Sequence, residues 1–273
     1  MTDLKRRIRA LAADPETSFV LIARDGVVEL LTGEIVDVET LSDIPLEGAN
    51  GPREVFAMVP YRQVRERGFE AQDDGTPLRC LLVAEREGLD AEELRAALPD
   101  TPIDLRGGGF DISDDEYADI VEQVIAEEIG RGEGANFVIR RDYRAGYECD
   151  DRIAALTWFR ALLEHERGAY WTFAVITPGQ IAVGASPEAH VVARDGIVTM
   201  NPISGTFRHP AGGATRESLT EFLSSTKETE ELFMVVDEEL KMMSQVCSDG
   251  GRITGPHLKE MSRLTHTEYM LRG

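Results

Sequence analysis

The sequence predicts an α+β fold. Three observations lead there. Apolar runs of strand length come in pairs, joined by Asp-Gly or Pro-Gly turns. Apolar residues at helical spacing occupy separate blocks, and the two kinds of segment do not alternate one for one, as a parallel α/β sheet would require. A chain of 273 residues is one large domain or two ordinary ones. At this length it can bury roughly 70–75% of its unfolded surface, and a hydrophobic content of 42% is that of a folded protein.

Residues 2–12 have the pattern of a short amphipathic helix. Strands are expected at Phe19–Ala23 and Val27–Leu31, around Arg24-Asp25-Gly26, because Asp-Gly accepts the positive φ of a tight hairpin. Further strands are expected at Val55–Val59 and Leu78–Val83, the second preceded by the turn Asp73-Asp74-Gly75. Residues 90–98 form a helix that Pro99 ends. The stretch 102–113, with Gly107-Gly108-Gly109, is the best internal boundary, dividing a β-rich region 1–105 from a region 106–273.

A helix capped by Asp114 or Asp115 follows, with Tyr117, Ile120, Val121, Val124, Ile125 and Ile129 at helical spacing, and ends at Gly130-Arg131-Gly132. Phe137-Val138-Ile139 reads as a strand and residues 151–166 as a helix. Tyr170–Ile176, Gln180–Gly184 and His190–Arg194 read as strands linked by Pro-Gly and Ser-Pro turns, and Arg194–Met200 as a second Asp-Gly hairpin. The longest helix spans about 216–247, interrupted near Ser224-Ser225. The last element, His257 to Leu271, is expected to be helical after Gly255-Pro256.

The net charge of −21 argues against nucleic acid or an anionic membrane as partner. It leaves room for an anionic small substrate, whose cleft can carry a local field of its own. Cys80, Cys149 and Cys247 are odd in number and lack zinc or disulfide spacing, so a reducing cytoplasm is expected. The basic start Lys5-Arg6-Arg7 has no apolar stretch behind it, so no signal peptide is expected, and no apolar run is long enough to span a membrane.

Several segments could carry chemistry. Glu228 and Glu231 lie at i, i+3 on one helix face, where two carboxylates repel and a cation relieves them. Magnesium takes one or two protein carboxylates plus waters and substrate oxygens; the plain alternative is a solvated acidic face. Glu230, Glu238 and Glu239 read as such solvated residues. The turn Gly184-Ala-Ser-Pro-Glu188 could aim Glu188 into a cleft where burial keeps its proton for general-acid work, or could be an ordinary turn. Asn201–Thr206 offers Gly205, a hydroxyl and backbone donors to an anion, or is a structural loop. His266, like His165, His190, His209 and His257, is by default a core or surface histidine. Gly107–Gly109 lacks the Gly-Lys-Ser/Thr of a phosphate loop. Gly130-Arg-Gly-Glu-Gly-Ala135 follows a helix and precedes a strand, the reverse of a dinucleotide fingerprint.

Taken in order, Gly-Ala-Ser-Pro-Glu188, Pro-Ile-Ser-Gly-Thr206, Lys227-Glu-x-x-Glu231 and His266-Thr-Glu-Tyr-Met-Leu-Arg-Gly273 resemble the chorismate-utilising enzymes: anthranilate, aminodeoxychorismate, isochorismate and salicylate synthases. Pro60–Phe69, Gly130–Arg141 and Val235–Met243 resemble the phenazine-type 2-amino-2-deoxyisochorismate synthases in particular. The resemblance implies that family's fold, antiparallel β-sheets packed with outer helices. It implies Glu188 as the acid that protonates the departing C4 hydroxyl of chorismate, and Glu228 and Glu231 as half of a Mg2+ site holding the ring carboxylate. Gly205 and Thr206 would contact that carboxylate, and His266 would act as base or positioning group near C2.

Asn136 stands where water-adding members carry a lysine base, which favours an amine nucleophile. The ammonia would come from a class I glutaminase domain or subunit, since no cysteine here lies in a Gly-x-Cys-x-Gly elbow. Leu30-Leu-Thr-Gly-Glu34 replaces the Leu-Leu-Glu-Ser of tryptophan-regulated members, which argues against tryptophan feedback. The family's substrate-binding arginine and second pair of metal-binding glutamates are not found. The expectation is therefore a fragment or split chain lacking the fold's C-terminal third, with exposed sheet edges, completed by another chain or by homo-oligomerisation. Two rival readings are an anthranilate synthase large subunit, which also eliminates pyruvate, and a non-catalytic truncated paralogue that binds a glutaminase.

Overall fold

The computed structural model describes residues 3–273, so Thr2 of the first expected helix lies outside the described residues. The chain forms two compact units, one built from residues up to 100 together with 155–273, the other from 101–154. The expected division at 105/106 falls near the first crossing. The second crossing divides the expected region 106–273, because its later strands join the sheet begun at the N-terminus.

In the larger unit α1 (Asp3–Ala13) buries Ile8 and Ala12. The hairpin of β1 (Phe19–Arg24) and β2 (Val27–Val38) turns on Asp25 at φ 52° and Gly26 at φ 80°. Both are left-handed, as a two-residue hairpin turn requires. The short pair β3 (Glu47–Gly48) and β4 (Gly51–Pro52) is followed by β5 (Val55–Met58) and β6 (Leu78–Asp90). β2 and β6 run well past their expected ends because they pair with each other from Val27↔Asp90 to Val38↔Leu78. Asp90 then caps α2 (Ala91–Ala97), accepting from the backbone N–H of Glu92 and Glu93.

In the smaller unit β7 (Arg106–Phe110) pairs with β8 (Tyr143–Gly146). Between them α3 (Asp114–Gln123) is capped by Ser113, not by the expected Asp114 or Asp115. Ser113 and Glu116 cap each other reciprocally, while the two aspartates occupy the first turn, where the helix dipole favours them. Phe137–Ile139 is not a strand: it has no partner to pair with, and Val138 is 95% exposed.

α4 (Asp151–His165) leads back to the larger unit and to β9 (Trp171–Thr177), β10 (Gln180–Ser186), β11 (Val192–Arg194), β12 (Ile197–Met200) and β13 (Ile203–Arg208). β13 occupies part of what reads as a loop in sequence. α5 (Arg216–Leu223) and α6 (Thr226–Val246) are separated at Ser224-Ser225, as expected. The expected terminal helix is instead two strands, β14 (Arg252–Glu260) and β15 (Leu264–Arg272). Burial along β15 alternates, with Thr265, Thr267, Tyr269 and Leu271 inside, which is the period of a strand. Gly255-Pro256 sits within β14, at a register shift.

Among the described residues two large antiparallel sheets organise this unit. One has the order β10-β9-β1-β2-β6-β5, the other β11-β12-β15-β13 with β14 also on β15. Val20, Ile22, Leu31, Leu81 and Val175 form one core cluster of the first. α6 lies on the second: Met243 packs with Met200 of β12 and Leu271 of β15, and Leu232 and Val236 pack with Tyr269. Residues 266, 268, 270 and 272 of β15 take the opposite face. No helix among the described residues is long and apolar enough to cross a membrane.

Candidate active site

The site grows from an irregularity in β13. Its register against β15 shifts between Ser204 and Thr206, and Gly205 there has φ 51°. A Cβ at Gly205 would stand 2.6 Å from Glu228 Oε2, 2.9 Å from Phe222 Cζ and 3.2 Å from Thr267 Oγ1. Only glycine meets both the backbone conformation and the closeness of that approach. The bulge therefore sets the start of α6 against the strand.

Glu228 and Glu231 lie in the first turns of α6. The Lys227 ammonium donates to Glu228 Oε1 at 2.9 Å and to Glu231 Oε2 at 2.8 Å. These bonds, the one to Glu231 foremost, hold the lysine pKa up. Burial, the largest single influence, opposes ionisation of Glu231, but Lys227, Ser204 and the Gly205 backbone together outweigh it and the pKa falls below the ordinary value. Glu228 Oε2 is buried and has no hydrogen-bond partner. A buried carboxylate oxygen without a donor beside a second carboxylate is the ligand chemistry of a hard divalent cation, so these two residues fit Mg2+.

His266 on β15 is tied to the same bulge. Its Nδ1 lies 2.9 Å from the Gly205 carbonyl and 3.4 Å from Thr206 Oγ1. A carbonyl only accepts, so Nδ1 carries the proton, and Nε2 of the neutral ring keeps a free lone pair. Thr206 itself is exposed.

Glu188 follows β10 in a turn held from several sides. Ser186 Oγ lies 2.8 Å from the Glu188 carbonyl, Ala189 N–H donates to Asn201 Oδ1 at 3.0 Å, and Asn201 Nδ2 donates to the Pro187 carbonyl at 3.4 Å. Burial raises the Glu188 pKa, and His190 and His266 oppose the rise. The structure thus joins Gly205, Thr206, His266, Glu228 and Glu231 through contacts, and brings Glu188 within electrostatic range of His266.

Two residues of this neighbourhood differ from their sequence expectation as solvated or ordinary side chains. Glu239, expected to be solvated, is 7% exposed. It shares the buried face of α6 with Leu232, Val236 and Met243, and that helical spacing was the available signal. Glu230 and Glu238 are exposed, as expected. His190 adopts φ 49° and sits beside Glu239. A cleft of about 480 Å3 adjoins the Glu188 turn at Asn201, and its lining sets Arg24, Arg194, Lys259 and Arg272 against Asp195 and Glu268, a local excess of positive charge on an acidic chain. Asn136 lies in the smaller unit, outside helix and strand.

Residues 84–273 match the chorismate binding enzyme family. The chain is 48% identical over 278 residues to the phenazine-specific anthranilate synthase of Pseudomonas chlororaphis, covering 99% of this chain and 43% of that protein. It is 47% identical over 267 residues to that of Pseudomonas fluorescens, covering 97% and 41%. The chain thus spans less than half the length of these relatives. Among solved structures, it resembles a putative 2,3-dihydroxybenzoate-specific isochorismate synthase, DhbC, of Bacillus anthracis, with TM-score 0.71 and 20% identity over 97% of this chain and 71% of that one. It also resembles the menaquinone-specific isochorismate synthase MenF of Escherichia coli, with TM-score 0.70 and 13% identity over 100% and 67%. At such identities the likeness speaks for the fold.

Proposed function

The chain belongs to the chorismate binding enzyme family, and on that premise we propose that it carries the acid, the histidine and half of the metal site of a chorismate-aminating synthase. The product would be 2-amino-2-deoxyisochorismate. The observation that carries this reading is the bulge at Gly205, which meets the unpartnered Oε2 of Glu228 on one side and the His266 imidazole on the other.

In the proposed reaction the ammonia lone pair forms the C2–N bond, the ring double bonds shift, and the C4–O bond breaks. Glu188 gives its proton to the departing oxygen, which leaves as water; hydroxide alone is a poor leaving group. A raised pKa suits Glu188 to hold that proton. His266 Nε2, free because Nδ1 is engaged, takes a proton from the incoming amine. Glu228 and Glu231 would hold Mg2+, which offsets the charge of the ring carboxylate when bound. Gly205 and Thr206 contact that carboxylate, and the basic cleft draws the dianion toward an acidic protein.

Ammonia would be delivered by a class I glutaminase domain or subunit, and the remaining metal ligands by residues other than these 273. The free cysteines Cys80, Cys149 and Cys247 accord with a cytoplasmic setting. The relatives' name, anthranilate synthase, favours a second reading in which pyruvate is also eliminated. Released pyruvate and a fluorescent aromatic product would identify it.

Calorimetric titration of chorismate into the chain, with and without Mg2+, tests the proposal. Magnesium-dependent binding is expected. A folded sample that binds no chorismate in the presence of Mg2+ would overturn it for this chain.

A further inference from the structure

Glu188, His190 and Glu239 form a cluster that shares no residue with the Glu228–Glu231 pair. A carboxylate oxygen of each glutamate and an imidazole nitrogen lie within 4.8 Å of one another. Glu239 is 7% exposed, yet its Oε2 has no hydrogen-bond partner. Its Oε1 faces His190 Nδ1 at 3.9 Å, beyond hydrogen-bonding distance. An interior carboxylate left in this state calls for a proton or a cation. His190 is held at φ 49°, a conformation uncommon for a non-glycine residue, directly beside the Ala189 backbone that Asn201 clamps. Its side chain is 66% exposed.

We infer that Glu188, His190 and Glu239 form a second metal site, for a borderline transition cation of the Zn2+, Co2+ or Mn2+ type. One imidazole nitrogen with two carboxylates is a donor set that such ions favour over Mg2+, and it leaves coordination positions open. Ligand–metal bonds of about 2.0–2.2 Å require the three donors to close by roughly 1 Å, within reach of the exposed imidazole and the half-buried Glu188. Two crowded carboxylates supply the charge that draws the ion.

One consequence rests on the proposed acid role of Glu188. An ion bound to its carboxylate takes the place of the proton, so Zn2+ should inhibit amination by acting on the acid while Mg2+ supports it.

Binding itself is tested without turnover. Co2+ is titrated into the full chain in excess Mg2+, and its visible d–d absorption is followed. One equivalent is expected to bind and to be displaced by Zn2+. His190→Asn keeps a residue that tolerates the left-handed backbone but removes the imidazole, and should weaken Co2+ at least about tenfold. Glu239→Gln should do the same, with folding checked by circular dichroism, and Glu231→Gln should leave the Co2+ affinity unchanged. Absence of the absorption, affinity unaffected by His190→Asn, or a loss in Glu231→Gln equal to that in Glu239→Gln would each overturn the site. Failure of Glu188 as an acid would show instead in turnover by Glu188→Gln, with Co2+ affinity of the wild-type chain intact.

Discussion

Gly205 is the residue on which the site turns. Its φ of 51° and the 2.6 Å between a Cβ at this position and Glu228 Oε2 leave no room for a side chain. Gly205→Ala should cost about 1–3 kcal/mol in urea denaturation, because strain and displacement of the Glu228 carboxylate combine. An unchanged midpoint would refute the close approach. The metal assignment makes a separate prediction. Glu231→Ala should weaken magnesium-dependent chorismate binding by at least about tenfold, and an unaltered Mg2+ titration would remove Glu231 from the ligand set. Glu188 differs in kind, since its proposed work lies in the reaction and not in binding. Glu188→Gln should hold chorismate within a few-fold of wild type while turnover with ammonia is lost in an assembly that is active.

At the level of elements, β15 is the spine of the second sheet. One face buries Thr265, Thr267, Tyr269 and Leu271, while the other carries His266 toward the bulge. Leu271 is 1% exposed and joins Met200 of β12 to Met243 of α6. Leu271→Ala should therefore cost about 2–5 kcal/mol by chemical denaturation. Because α6 also carries Glu228 and Glu231, Mg2+ affinity should fall with it; a loss below about 1 kcal/mol would contradict this packing. In the first sheet Arg79 of β6 grips Asp37 of β2 with two hydrogen bonds, at 2.7 and 2.8 Å, and reaches the Pro178 carbonyl at the β9–β10 turn. The hydrogen bond from Arg79 holds the Asp37 pKa below the ordinary value. That stabilisation is present above the unfolded carboxylate pKa and is lost as pH falls through the lower folded one. Acid titration of stability should accordingly be shallower in Asp37→Asn than in wild type.

At the level of the whole molecule, the charge of −21 sets the response to salt. Self-repulsion of a compact acidic chain is screened by counterions, so Tm should rise from low to physiological ionic strength, and a salt-independent Tm would contradict this. Chain-local chemistry was enough to read much of the architecture. Asp25-Gly26 and Asp195-Gly196 mark their hairpins because positive φ is a property of two residues, and Gly196 has φ 76° as expected. α6 and its break at Ser224-Ser225 follow from helical spacing and capping within one segment. The motif residues around Gly205 and Glu228 were legible as types of chemistry for the same reason. The path of the sheets was not. β1 pairs with β9, Phe19 opposite Ile176, across most of the chain, and β15 is a strand because β12, β13 and β14 supply hydrogen bonds that it cannot make within itself. A helix satisfies its own backbone and so announces itself in a local pattern, whereas a strand depends on neighbours that here lie far away in sequence. Burial of Glu239 beside Glu188 belongs to the same class: the charge is written in the chain, but its environment exists only once α6 has docked against the sheet.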